Sequence, residues 1–330
     1  MSKLNFLAAA SLLAILSGCT GSTGHKSNEK YYLITTNTKI SYWQSAAAGF
    51  YKEAKQLDVS GEMVGPDTYD LQAEQAAFDT AISKNPAGIL VSAADVNLIT
   101  PEINKAIAKG IPVLTIDSDA PDSKRLVFIG TNNLQAGVMG GRRLIKELNG
   151  KGNVVIYTMP NQSNLEQRMH GYKDTLAEAP GIKIVNTIDI KGDPRVAFDA
   201  TNDMLKGKIQ PDAFVCLEAI SCKEVADVLD RNKVKGKVII AMDTDQGTLD
   251  WIKKGGISAT IAQKPYTMGY YGLEMLGELF LHKPDVLDHK FGPDTQSPLP
   301  VFVDTGATLI DKGNVDHFIS ERDSAASAGQ

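Results

Sequence analysis

The chain has 330 residues, 43% hydrophobic and 22% charged, an ordinary globular composition with length enough for two domains. Its formal charge is −5 and no basic stripe runs along it, so nothing supports nucleic-acid binding. Beyond the N-terminus, no segment reaches the roughly 18 apolar residues of a membrane-spanning helix.

The chain opens on Lys3 and an apolar run over 4–16, which is too short to span a bilayer. The run ends in LSGC (16–19), which resembles the lipobox of bacterial lipoproteins. Residues 1–18 therefore read as a lipoprotein signal peptide, and Cys19 as the lipidated mature N-terminus. The Gly-, Ser- and Thr-rich segment up to residue 30 reads as a flexible tether. A plain secretory signal with a chance cysteine is the alternative.

From residue 31, strand and helix patterns alternate. Strands are expected at 31–36, 59–64, 87–91 and 112–116, with helices at 44–57, 71–83 and 98–109 between them. Asn132 reads as the N-cap of a helix whose Ala136, Gly137, Gly140 and Gly141 permit close packing. The pattern then starts again. Strands are expected at 153–158, 182–188, 213–217, 238–242 and 258–262, and helices at 165–178, 197–205, 223–232 and 249–254. Near-continuous apolar strands alternating with helices imply parallel sheets covered on both faces. Two such sets imply two similar doubly wound α/β lobes. Internal echoes agree: PVLTIDSD (112–119) matches VIIAMDTD (238–245), and PAGILVSA (86–93) matches PDAFVCLE (211–218). In the second pair, Glu218 stands where the first half has Ala93.

Open parallel sheets bind ligands beyond the carboxyl ends of their strands. The polar residues there are 36–43, Asp117 to Asp119, the loop before Arg168, Gly192 and Asp193, Glu218, Asp243 and Gln263. Carboxylates, an arginine, an amide and two aromatics suit a polyhydroxylated ligand, because carboxylates accept from hydroxyls and aromatic faces cover ring carbons. Glu218 reads as a ligand contact or as a loop or cap residue. Its neighbours Cys216 and Cys222 read as packed thiols or a local disulfide. The five histidines are scattered, so no metal site is expected. Asp119 and Asp245 read as helix caps or solvated residues, and His170 as a helix-face residue.

YWQSAAAGFYKEA (42–54), PVLTID (112–117), RMHGY (168–172) and ATIAQ (259–263), in this order and spacing, resemble the periplasmic solute-binding proteins of the ribose/galactose-binding family. The likeness runs over about 31–318. It implies a sugar or polyol ligand, no cofactor, and delivery to the permease of an ABC importer. It implies two lobes, 31–130 plus 264–302 and 132–262 plus 304–320, joined by three crossing segments that act as a hinge. Residues 321–330 are expected as a disordered tail, and the protein as a monomer. Carried over by position, Tyr42 and Trp43 match aromatics that sandwich the sugar. Asp117, Arg168, Asp243 and Gln263 match its polar contacts. Ser118 stands where ribose binders carry an arginine, Gly192 where an aromatic often closes the pocket, and Glu218 where an asparagine is common. Lys39 lies in the first loop, where some pentose binders place a charged contact.

Three carboxylates facing Arg168, with or without Lys39, need either many ligand hydroxyls or a positively charged ligand group. A neutral monosaccharide or polyol is the expected ligand, with an amino sugar as the other option. Enzymatic motifs such as GxSxG, a P-loop or a metal cluster are missing from the sequence. An export signal in place of a helix-turn-helix argues against a transcription-factor effector domain. A sensory role, presenting the ligand to a chemoreceptor or sensor kinase, is the remaining alternative.

Overall fold

The computed structural model describes residues 24–207, 211–289 and 291–328. The signal-peptide and lipidated Cys19 expectations lie outside them. The chain first forms β1 (Lys30–Ile34), α1 (Ser41–Leu57), β2 (Ser60–Val64), α2 (Leu71–Ser83), β3 (Gly88–Val91), α3 (Val96–Ala108), β4 (Val113–Ile116) and β5 (Phe128–Gly130). It then builds α4 (Asn133–Glu147), β6 (Lys151–Thr158), α5 (Ser163–Ala177), β7 (Gly181–Asp189), α6 (Pro194–Lys206), β8 (Ala213–Cys216), α7 (Ser221–Arg231), β9 (Val238–Met242), α8 (Gln246–Lys254) and β10 (Ala259–Ala262). Last come α9 (Pro265–Leu281), β11 (Phe302–Asp304), β12 (Thr308–Asp311) and α10 (Val315–Ala328).

Two six-stranded sheets result, ordered β11-β5-β4-β3-β1-β2 and β12-β10-β9-β8-β6-β7. All pairings are parallel except β10 with β12. Each sheet turns back on its order once, between β1 and β3 and between β6 and β8. That switch point is where open α/β sheets leave a crevice for ligands. The central strands β3, β4, β8, β9 and β10 are buried at every position, because helices cover both faces. Each sheet has its own apolar core, one around Tyr31, Phe50, Phe78 and Leu90, the other around Tyr157, Phe214, Ile239 and Leu249.

The chain passes between lobes after β5, after β10 and after β11. α9 returns to the first lobe and packs on α1, while β12 and α10 complete the second. The N-cap expectation holds: Asn132 accepts from the Gln135 amide at 3.1 Å. Asp245 likewise caps α8, accepting from the Thr248 amide at 3.2 Å.

Two chain ends differ from expectation. Residues 25–29 are not a free tether. Glu29 is buried and accepts from the Tyr31 hydroxyl at 3.0 Å and the Lys26 amide at 2.6 Å, because the Tyr31 side chain is fully enclosed and its hydroxyl needs a partner. Residues 321–328 continue α10 and are not a disordered tail. Phe318 and Ile319 dock this helix on the second core, and the Ser- and Ala-rich continuation carries no Gly or Pro to stop it.

The α4–α5 pair sets the position of Arg168. A Cβ on Gly137 would lie 2.2 Å from the Arg168 carbonyl oxygen, so the two backbones touch there. Gly137→Ala must push α5 outward and take Arg168 with it. We expect a loss of about 3 kcal/mol, the upper range for overpacking, read as a lower urea midpoint.

Candidate ligand-binding cleft

The echoed motifs become symmetric turns. Asp117 follows β4 and Asp243 follows β9, and both take the left-handed backbone conformation, with φ of 62° and 66°. Each amide bonds a carbonyl of the next strand, Ile129 at 3.1 Å and Ile261 at 2.9 Å. Short polar side chains tolerate this conformation better than branched ones. The turn swings each carboxylate off its strand end toward the facing lobe.

The carboxylates enter a narrow cleft between the lobes, with a cavity volume of about 80 Å³. Tyr42, Trp43, Asp117, Arg168, Gly192, Glu218, Asp243 and Gln263 all line it. Tyr42 and Trp43, from the first turn of α1, meet edge to face with ring centroids 5.2 Å apart. They form a corner and not two parallel plates. The Tyr42 hydroxyl donates to Asp117 Oδ1 at 2.7 Å. Arg168, from α5, is 2% exposed. Its Nε donates to Asn133 Oδ1 at 2.8 Å, Nη1 to the Leu217 carbonyl at 2.7 Å and Nη2 to Gln263 Oε1 at 2.9 Å. One N–H on each terminal nitrogen is left over. Gln263 donates in turn to Asp243 Oδ1 at 3.0 Å.

Glu218 lies in the turn between β8 and α7. Its Oε2 accepts from the Ile220 amide at 2.6 Å, so one oxygen serves as a cap. Its Oε1 is buried without a hydrogen-bond partner. Cys216 and Cys222 close this turn as a disulfide, with Cα atoms 5.7 Å apart.

Four expected positions turn out differently. Lys39 does not line the cleft: it is exposed and faces Asp67 at 3.5 Å, because the loop after β1 turns its side chain to solvent. Ser118 is buried behind the cleft, donating to the Ala93 carbonyl at 2.8 Å, and so braces β3 against β4. Gly192 does not leave the pocket uncovered. A Cβ there would fall 2.3 Å from the Tyr69 ring, so the covering aromatic comes from the first lobe. Asp119 is neither cap nor solvated. It is buried and held by the Arg125 fork at 2.7 and 2.6 Å.

The second lobe contributes further groups that sequence reasoning did not single out. Asn164 Nδ2 donates to Asp117 Oδ2 at 3.1 Å, and Gln162 Nε2 to the Tyr69 hydroxyl at 3.1 Å. Ser163 Oγ donates to the Asp119 carbonyl at 2.7 Å and accepts from the Asp119 amide at 2.9 Å. All four bonds cross between lobes. The one available signal was the run QSN (162–164) just before RMHGY.

Residues 31–284 match the family model described as the periplasmic binding protein domain. The chain belongs to that family. It is similar to the D-allose-binding periplasmic protein of Escherichia coli strain K12, at 26% identity over 79% of this chain and 88% of that protein. Among solved structures it is similar to GanP, a glucose-galactose binding protein from Geobacillus stearothermophilus, at 28% identity and a TM-score of 0.80, covering 88% of this chain and 99% of that one. A sugar ABC transporter sugar-binding protein from Bacillus halodurans is 37% identical with a TM-score of 0.75, over 88% and 99%. These are extracytoplasmic solute-binding proteins of ABC importers and not enzymes.

In a periplasmic binding protein the electrostatics of the empty cleft matter, because the ligand must offset them. Burial pushes the Asp243 carboxyl up to about 7, against the pull of Arg168 and Gln263, and Asp117 and Glu218 add to the rise. Burial also raises Asp117 and Glu218. The folded state thus holds these protons more tightly than the unfolded chain. Stability present at low pH is lost as pH rises through the window from about 4 to about 7. Asp243→Asn removes one ionisation. Without ligand, the variant should match wild type near pH 4 and exceed it at pH 8 by as much as about 4 kcal/mol, measured by urea unfolding at both values.

Proposed function

We propose that this protein captures a monosaccharide or polyol in the interlobe cleft and delivers it to the permease of an ABC importer. The observation that carries the reading is that both lobes send buried polar side chains into one cleft. Asp117 and Tyr42 come from the first lobe, and Arg168, Glu218, Asp243 and Gln263 from the second. Carboxylates on either side accept from ligand hydroxyls. Arg168 and Gln263 supply donors, and the Tyr42–Trp43 corner with Tyr69 covers ring carbons. The sugar-binding relatives support this class of ligand.

Closure follows from the same arrangement. A ligand that touches both lobes favours the state in which they meet, and one that touches a single lobe shifts nothing. The crossings near 130–132, 263–265 and 302–304 are the hinge, and the bonds from Gln162, Ser163 and Asn164 to the first lobe form as it closes. An anchor at Cys19 holds the protein at the membrane surface.

A thermal-shift panel of pentoses, hexoses, polyols and amino sugars tests this. At least one compound should raise the melting temperature with saturable dependence and reduce the radius of gyration in X-ray scattering. Arg168→Met, which leaves the oxygens of Asn133, Leu217 and Gln263 without their donor and removes the cleft's cation, should weaken that ligand at least 100-fold. A panel that leaves both melting temperature and radius unchanged would falsify the proposal.

A further inference from the structure

The charge in the cleft is lopsided. Asp117, Glu218 and Asp243 line it, all less than 9% exposed, and among the described lining residues Arg168 is the only cation. Lys39, the candidate second cation, faces Asp67 in solvent. The guanidinium of Arg168 spends its bonds on neutral oxygens, those of Asn133, Leu217 and Gln263, and not on a carboxylate. Among the described residues, no group of three His, Cys, Asp or Glu side chains could hold a metal ion. A neutral ligand leaves this imbalance to hydroxyl donors and to the raised Asp243 carboxyl, whereas a cationic group on the ligand meets it directly.

Two cleft carboxylate oxygens lack a partner, Asp243 Oδ2 and Glu218 Oε1, and of these Glu218 Oε1 is the fully enclosed one. Asp117 already accepts from Tyr42 at one oxygen and Asn164 at the other. Asp243 accepts from Gln263. Glu218 accepts at Oε2 from the Ile220 amide, while Oε1 is buried next to Ser221 without a well-formed hydrogen bond, the Ser221 hydroxyl being a donor of this chain beside it. The turn that carries it is pinned on three sides. The Cys216–Cys222 disulfide closes its ends, Arg168 holds the Leu217 carbonyl, and Ile220 holds the other carboxylate oxygen. A carboxylate so constrained cannot swing out to water when the cleft is empty. It is preorganised for a donor that enters with the ligand.

We infer that the ligand is an aminated monosaccharide, whose ammonium group sits on Glu218 Oε1. The inference rests on the sugar-binding reading above and narrows it. An ammonium offers three donors and a full positive charge in the space where a hydroxyl offers one donor. It satisfies Glu218 Oε1 by a charge-assisted bond and lowers the cost of three neighbouring carboxylates. The sister position in the first lobe is Ala93, buried and with no polar atom in its side chain, so this feature belongs to one side of the cleft alone.

The experiment is calorimetric titration of the intact protein at pH 7 with matched pairs that differ by one atom group. D-glucose, D-galactose and D-mannose are compared with their 2-amino-2-deoxy forms, and D-glucose also with its 3-amino-3-deoxy form. At least one amine should bind tenfold or more tighter than its parent sugar. Glu218→Gln, which keeps the shape and loses the charge, should remove at least tenfold of that amine's affinity and cost the amine at least threefold more than it costs the parent sugar. Parents that bind as tightly as their amines overturn the inference and leave the sugar-binding reading standing. So does a Glu218→Gln variant that weakens amine and parent equally. Silence from every compound here, with a hit elsewhere in the thermal-shift panel, overturns this inference and leaves the sugar-binding reading standing; silence in both removes that reading too. The wild-type comparison needs no variant, so a folding defect in Glu218→Gln cannot blur the result.

Discussion

Gln263 ends β10 where the chain leaves the second lobe, and its one amide group is used in both directions. Its oxygen accepts from Thr131 at 2.8 Å and from Arg168 at 2.9 Å, and its nitrogen donates to Asp243 at 3.0 Å. Thr131 stands on the first crossing between lobes, so this amide joins two crossing segments to the floor of the cleft. All the partners are buried, and an unmade bond here would leave a desolvated polar group. Arg168 is thereby fixed to the segments that cross between the lobes, and through its Nη1 to the turn carrying Glu218. A carboxamide suits the position because it supplies an acceptor and a donor without adding charge to a cleft already rich in carboxylates.

The rest of the cleft is held in the same way, by groups that also shape the backbone. Asp117 and Asp243 occupy left-handed turns at the ends of equivalent strands, a local strain typical of residues kept for a site. Burial makes both costly to ionise. The ligand-free protein thus gives up stability at its site, and the two apolar cores supply what the cleft gives up. This division of labour explains why two nearly self-sufficient lobes are used: each folds around its own core, and the strain gathers where they meet.

The second-lobe residues around the start of α5 tie the cleft shut from the other side. Gln162, Ser163 and Asn164 reach Tyr69, Asp119 and Asp117 across the gap. Asp119 can serve as a fixed partner because Arg125 and Thr115 hold its carboxylate. Its backbone, not its side chain, meets Ser163, so this contact does not compete with ligand for a carboxylate.

The sequence by itself determined the repeating strand–helix pattern, the two-lobe division and the two aspartate turns. Those are local: periodicity of apolar residues and a carboxylate at a strand end can be read along one segment. It also exposed Glu218 as an addition, by comparison with Ala93 in the sister motif. Only the tertiary structure decided the partners. Tyr69 covers Gly192, Asn164 holds Asp117, Lys39 turns away to Asp67 and Ser118 drops behind the sheet. Each pairing joins segments tens of residues apart, and for Lys39 the choice between cleft and solvent hangs on how one loop lies. Cys216 and Cys222 were close enough in sequence to pair or to pack as thiols. Their Cα separation of 5.7 Å, set by the tight turn from β8 into α7, is what brings the two sulfurs within bonding distance.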